Sequence, residues 1–241
     1  MSYIHKSILD NINLYKSFLE QNINNLINYN INYSKINLFS TGEYRLFSII
    51  TENVRLDLNY LLSLNPDFDI LGFPALKRNV RISIEAYYDL FNLVSDRTYI
   101  ELLKYQSQKI NHINRTIIQK YIPFLNRKKF TLSKTPLTIK EKANIAKSKN
   151  RLDPQIYKQM KEFATDSNSY IHPNIFVDPI NNKDIVLKLL IFCDCRLIMY
   201  AFDLLNNFIA KCHAPYISII NPYDEYNRLY TAIASVPWIY L

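Results

Sequence analysis

The sequence predicts an all-α protein, a helical bundle of about seven to nine helices with no significant sheet. Three observations lead there. Apolar residues recur at three- and four-residue steps through most of the 241 positions. Ser/Thr-x-x-Glu boxes, which start helices, stand ahead of two of those runs. The chain also holds only two glycines, Gly42 and Gly72, where average usage gives roughly 17. Tight hairpins of a β-rich fold need more residues that accept positive φ.

The elements follow in order. Ile4, Ile8, Ile12, Tyr15, Leu19, Ile23, Leu26 and Ile27 give a first helix over about 3–33. Ser40 and Glu43 form a capping box for a second helix over 43–64, ended by Asn65 and Pro66. Pro74 opens a third helix, to Leu93, and a fourth runs over 96–121 until Pro123. Residues 123–137 read as a loop. Thr138 and Glu141 then cap a short basic helix to about Lys149. Asp153 and Pro154, as N-cap and first-turn residues, start a helix ending near Asp166. A long helix over 183–212 and a short one over 224–234 complete the set. The expected organisation is one domain: an N-terminal hairpin (1–66), a core (70–212) with a basic insertion (123–151), and a tail (213–241) packed on the core.

Composition excludes several functions. Apolar residues make up 49% and charged residues 21%, which is globular and not disordered. No G-x-x-x-x-G-K and no G-x-G-x-x-G occurs, so P-loop, Rossmann and kinase sites are out. The apolar stretch Ile185–Ile209 is interrupted by Lys188, Asp194, Arg196 and Asp203, so it reads as a buried core helix and not a membrane span. Three cysteines and no basic-then-apolar opening segment fit a cytoplasmic protein. Cys193 and Cys195 point about 200° apart on a helix, and Cys212–His213 has no second pair at zinc spacing. No metal and no cofactor is expected.

The net charge of +8 is unevenly placed. Between Lys104 and Arg151 stand thirteen Lys and Arg against one acid, Glu141, while the rest has sixteen against twenty. That segment either attracts a polyanion by counterion release or is a solvated basic linker.

Two stretches hold candidate chemistry. On the third helix Arg78, Arg81, Glu85, Asp89 and Asn92 share one face, opposite Val80, Ile84, Tyr87, Leu90, Phe91 and Val94. This stripe is either a solvent-facing set of ion pairs or the wall of a cleft in which Arg81 meets a phosphate or carboxylate. In "NSYIHPN", Pro173 pushes His172 out of the α region, and Ser169 stands three residues earlier. The imidazole is placed either to move protons or to bond a carbonyl and hold the turn.

Together, "RNVRISIEAYYDLF" and "SNSYIHPN" resemble a set of bacterial helical proteins related to the HEPN superfamily, with an R-x-x-x-E helix and a Ser-x-x-His-Pro turn. The likeness spans about residues 70–210. It implies an HEPN-like core, a homodimer, and a metal-independent ribonuclease of a phage-defence, abortive-infection or toxin–antitoxin system. Arg81 and Glu85 match the first signature, Ser169 and His172 the second. In that reading His172 is general acid/base, Arg81 stabilises charge on the phosphate and Glu85 orients Arg81. Arg78, Arg115, Arg127, Lys128 and Lys129 hold RNA, and a cognate antitoxin or phage protein is a further partner. The R-x4-6-H spacing usual in ribonuclease members is absent, because no histidine follows an arginine so closely. The alternative is a non-catalytic helical module that senses or binds a protein or nucleic acid, with the stripe as a structural ion network and His172 as a turn anchor. A third is a peripheral membrane or immunity protein using the basic segment.

Overall fold

The computed structural model describes residues 10–18, 20, 21, 24, 41–63, 72–106, 137–171, 183–211 and 223–235. They are almost wholly helical, and no strand occurs among them. A first helical segment, α1, is described over 10–18. α2 (Thr41–Ser63) and α3 (Gly72–Ser95) are followed by a 3-10 turn (Arg97–Tyr99) and α4 over 100–106. Then come α5 (Ile139–Asn144), a π-helical turn (Ile145–Lys149), α6 (Pro154–Ile171), α7 (Lys183–Lys211) and α8 (Tyr223–Ser235).

α7 is the buried axis. From Leu190 to Phe202 only Phe192 and Arg196 are partly exposed, because this helix is apolar nearly all round. α2 and α3 pack on each other and on α7, α6 lies on α3, and α8 lies on α7. From α1, Ile12, Tyr15 and Phe18 enter the same core, and the Tyr15 hydroxyl donates to the Cys195 carbonyl at 3.3 Å. Cys193 and Cys195 are buried free thiols that pack as apolar residues. Among the described residues, no helix is long and apolar enough to cross a membrane.

Two helix starts are built as the residues dictate. The Thr138 hydroxyl accepts from the Glu141 N–H at 3.3 Å, while Glu141 accepts from the Thr138 N–H at 2.6 Å. Asp153 Oδ1 accepts from the N–H groups of Gln155 and Ile156, and Pro154 fills the position where no donor is needed. The Glu43 carboxylate is wholly buried beside Arg97 at 3.3 Å, so it ties α2 to the turn after α3. Ser40, its expected capping partner, lies outside the described residues, as do the expected loop over 123–137 and the tail beyond 235.

One boundary moves. The sequence ends the sixth helix near Asp166, but α6 continues to Ile171. Ser167 makes this tolerable, because its buried hydroxyl donates to the Phe163 carbonyl at 2.8 Å and sheds no polar cost. Ser169 is therefore a residue of the last helical turn and not of a following loop.

The path from α3 to α6 sets their relative direction. Lys149 reaches Asp96 at 2.6 Å, Asn150 bonds Asn92 at 2.8 Å, and Tyr157 neighbours Tyr88. α6 thus starts near the C-terminal end of α3 and runs back along it, antiparallel. Its last turn is directed toward the end of α3 that carries Arg78 and Arg81.

Candidate functional site

The polar stripe of α3 is the strongest concentration of charge chemistry among the described residues. Val80, Ile84, Tyr87 and Leu90 enter the core as the periodicity requires, so Arg81, Glu85, Asp89 and Asn92 turn to the other side. That side is not open to solvent along its length. The segment 138–152 lies against it, and Asp89 and Asn92 are buried.

The covering segment inserts a lysine. The Lys142 ammonium donates to Glu85 Oε1 at 2.7 Å and to Asp89 Oδ2 at 2.6 Å, and its side chain is 3% exposed. The Tyr99 hydroxyl donates to the other Asp89 oxygen at 2.6 Å. Asn92 closes the arrangement: its amide donates to the Lys142 carbonyl at 3.0 Å and its oxygen accepts from Asn150 at 2.8 Å. Burial pushes the Asp89 carboxyl above its ordinary range, and Lys142 and Tyr99 only partly offset this. The same burial, with Asp89 beside it, raises the Tyr99 phenol. At the rim, Lys149 and Thr98 hold the exposed Asp96 carboxyl down to about 2.

The π turn fits this arrangement. Asn150 N–H reaches the Ile145 carbonyl at 3.1 Å, and Leu152 N–H reaches Ala146 at 2.8 Å. The extra residue places Asn150 against Asn92, and the chain then reverses through Arg151, the only non-glycine residue with positive φ among those described (59°). Neither glycine takes that role. A left-handed arginine is a strained choice where glycine is the usual one.

Chemically the cluster is a closed ion network. The ammonium stands between two carboxylates and serves as their counter-charge. Among the described residues no group of three His, Cys, Asp or Glu side chains gathers to bind a metal. Glu85, whose side chain is 42% exposed, is the member that still meets solvent.

The sequence-selected residues divide. Glu85 lies in the network, bonded to Lys142. Arg81 is half-buried one turn before it, and Arg78 is exposed. Ser169 lies in the last turn of α6 by its backbone. His172, Arg115, Arg127, Lys128 and Lys129 lie outside the described residues. An open groove of about 600 Å³ between α1 and α8, lined by Asn11, Asp224, Asn227, Arg228, Thr231 and Ala232, holds none of them.

No family model matches the chain, and comparison with curated proteins and with solved structures found no match. The site rests on its own geometry.

Sequence reasoning missed Lys142, and a signal was present. Ile139, Lys142, Ala143 and Ala146 recur at helical steps, so the lysine stands on the apolar face of its helix. A lysine there requires an acidic partner, and the acidic stripe of α3 was one candidate for it.

Proposed function

We propose that this protein is a helical binding module whose partner is a polyanion, with single-stranded nucleic acid the first choice. The observation that carries the reading is the Lys142 bridge. It commits Glu85 and Asp89 to holding segment 138–152 on α3, so these carboxylates serve structure before chemistry. The same segment presents Lys140, Lys147 and Arg151 to solvent with no carboxylate partner among the described residues. Lys147 lies 4.8 Å from the centre of the Tyr157 ring, so a cation and an aromatic face stand together, the pairing that grips a single-stranded polyanion. The basic excess seen in the sequence is thereby reduced: Lys104, Lys142 and Lys149 are consumed by Glu101, Glu85 with Asp89, and Asp96.

Fluorescence polarisation with a labelled single-stranded RNA tests this. Binding is expected to weaken steeply with salt, and the double variant Lys147→Glu, Arg151→Glu to lose about tenfold or more in affinity, since each reversal replaces a phosphate contact by repulsion. Equal affinity of parent and variant for RNA, DNA and heparin ends the reading.

A second reading is favoured by one observation. The antiparallel run of α6 directs the turn before His172 toward the end of α3 that bears Arg78 and Arg81. This supports an HEPN-like, metal-independent ribonuclease of phage defence, with His172 and Arg81 as the working pair and Glu85 anchored by Lys142. RNA incubated with the protein in EDTA is then expected to be cleaved, and His172→Ala to lower the rate by about 10²-fold or more with unchanged unfolding temperature. Intact RNA with the parent protein leaves the binding module alone.

A further inference from the structure

On α7, Arg196 is held in an unusual way. Its guanidinium carbon lies 5.2 Å from the ring centre of Tyr226, 5.5 Å from Tyr200 and 5.9 Å from Phe192. Phe192 and Tyr200 are its neighbours one turn before and after, and Tyr226 comes from α8. The hydroxyl of Tyr200 is bonded to Gln159 of α6, which sets that ring. Among the described residues the only hydrogen-bond acceptor for the guanidinium is the Met199 sulfur, 3.9 Å from Nη1. Nε is buried and has no acceptor among the described residues. No carboxylate pairs with Arg196 among the described residues, although Arg55 and Arg97 each have one.

Aromatic rings stabilise a guanidinium through their faces and do not accept its in-plane N–H groups. Those N–H groups form the fork that matches a carboxylate or phosphate. The cage therefore satisfies the charge and leaves the fork with no oxygen acceptor among the described residues, and a buried donor without an acceptor is a cost that a ligand oxygen removes. Beside the cage stands Tyr230, 47% exposed, stacked on Tyr226 at 6.0 Å and tilted against Phe192 at 5.8 Å. It extends the aromatic surface from the arginine into solvent. A ligand with an oxyanion at one end and a flat ring at the other is complementary to both parts.

We propose that Arg196, with Phe192, Tyr200, Tyr226 and Tyr230, forms a small-molecule site for an oxyanion, carboxylate or phosphate, carried on an aromatic body. This occupant is independent of the polyanion proposed above, whose contacts lie on the 138–152 segment.

Calorimetry and thermal unfolding with four probes test it: adenosine 5′-monophosphate, indole-3-acetate, adenosine and inorganic phosphate. Saturable binding of the monophosphate or of indole-3-acetate is expected, and which of them binds tells phosphate from carboxylate. Adenosine and phosphate alone are expected to bind at least tenfold more weakly. Arg196→Lys keeps the charge but loses the fork, and is expected to weaken binding tenfold or more. Tyr230→Ala, at an exposed position, is expected to weaken it while the unliganded unfolding temperature stays near that of the parent. The site is refuted if none of the probes binds saturably at millimolar concentration, or if binding is unchanged in both variants.

Discussion

Replacing Lys142 by methionine is expected to lower the stability of the protein by about 3–5 kcal/mol, the usual cost of stranding a buried charge. The substitution keeps the stem that packs beside Ala143 and Ala146 and removes only the ammonium. Asp89 then remains buried with the Tyr99 hydroxyl alone, and Glu85 loses its partner. For a chain of this size that cost corresponds to a fall in Tm of roughly 6–20 °C. The carboxyl of Asp89 already sits above its ordinary range, so the deficit is expected to shrink as pH falls, because a protonated Asp89 needs no counter-charge. Adding Asp89→Asn to Lys142→Met is expected to recover part of the loss, because removing both charges is milder than removing one. Urea unfolding of the four proteins at pH 7 gives the cycle. A single-variant loss below about 1 kcal/mol shows that the pair is not what holds the segment on α3.

A second large effect is expected at Asp57. This residue of α2 is buried, accepts from the Asn79 amide at 2.6 Å, and faces the equally buried Asp194 of α7. Tyr15 and Cys195 also interact with Asp194 and carry no positive charge. Two carboxyl groups in such a place share a proton more readily than they carry two charges. Burial pushes Asp57 up to about 7. A folded-state value above the unfolded one means that the native protein holds the extra proton. The stabilisation is full below about pH 4 and is lost as pH rises through 7. The opposite trend comes from Asp96, held down to about 2, and from Glu52 and Glu141, both lowered; their contributions are lost as pH falls below about 4. Stability from these groups is therefore expected to peak near pH 4 and to fall toward pH 7. Asp57→Asn, which still accepts from Asn79, is expected to stabilise the protein by roughly 3–4 kcal/mol at pH 8 and to change it little at pH 4. Calorimetric scans of both proteins across this range decide it. Parent stability that rises steadily from pH 5 to pH 8 contradicts the assignment.

The Asp57 effect lies where sequence patterns are silent, and the Lys142 effect is announced only by a lysine on an apolar helix face, which names no partner. In the periodicity of α2, Leu58 and Val54 mark the buried face, and nothing at Asp57 announces a partner 137 positions later. Asp194 reads as a charge that interrupts a membrane-like run, which is correct and says nothing of what it meets. Lys142 reads as one more cation of a basic segment. Arg196 likewise reads as an interruption of α7, while its cage needs Tyr226 from another helix.

What the sequence by itself determined is local. Glycine scarcity, three- and four-residue apolar steps, the Thr138–Glu141 box and the Asp153–Pro154 start act within a few residues, and each appears in the structure where the residues place it. The apolar face of α3 is equally legible, since burial of Val80, Ile84, Tyr87 and Leu90 follows from a helical period of 3.6. The polar face is different. A stripe of Arg, Glu, Asp and Asn is the same in sequence whether it meets water, a substrate or another helix. Only the tertiary fold decided that segment 138–152 covers its lower half and seats Lys142 between Glu85 and Asp89. The reason is that charge is cheap to expose and costly to bury, so the role of such a residue depends on what packs over it and not on the residue itself.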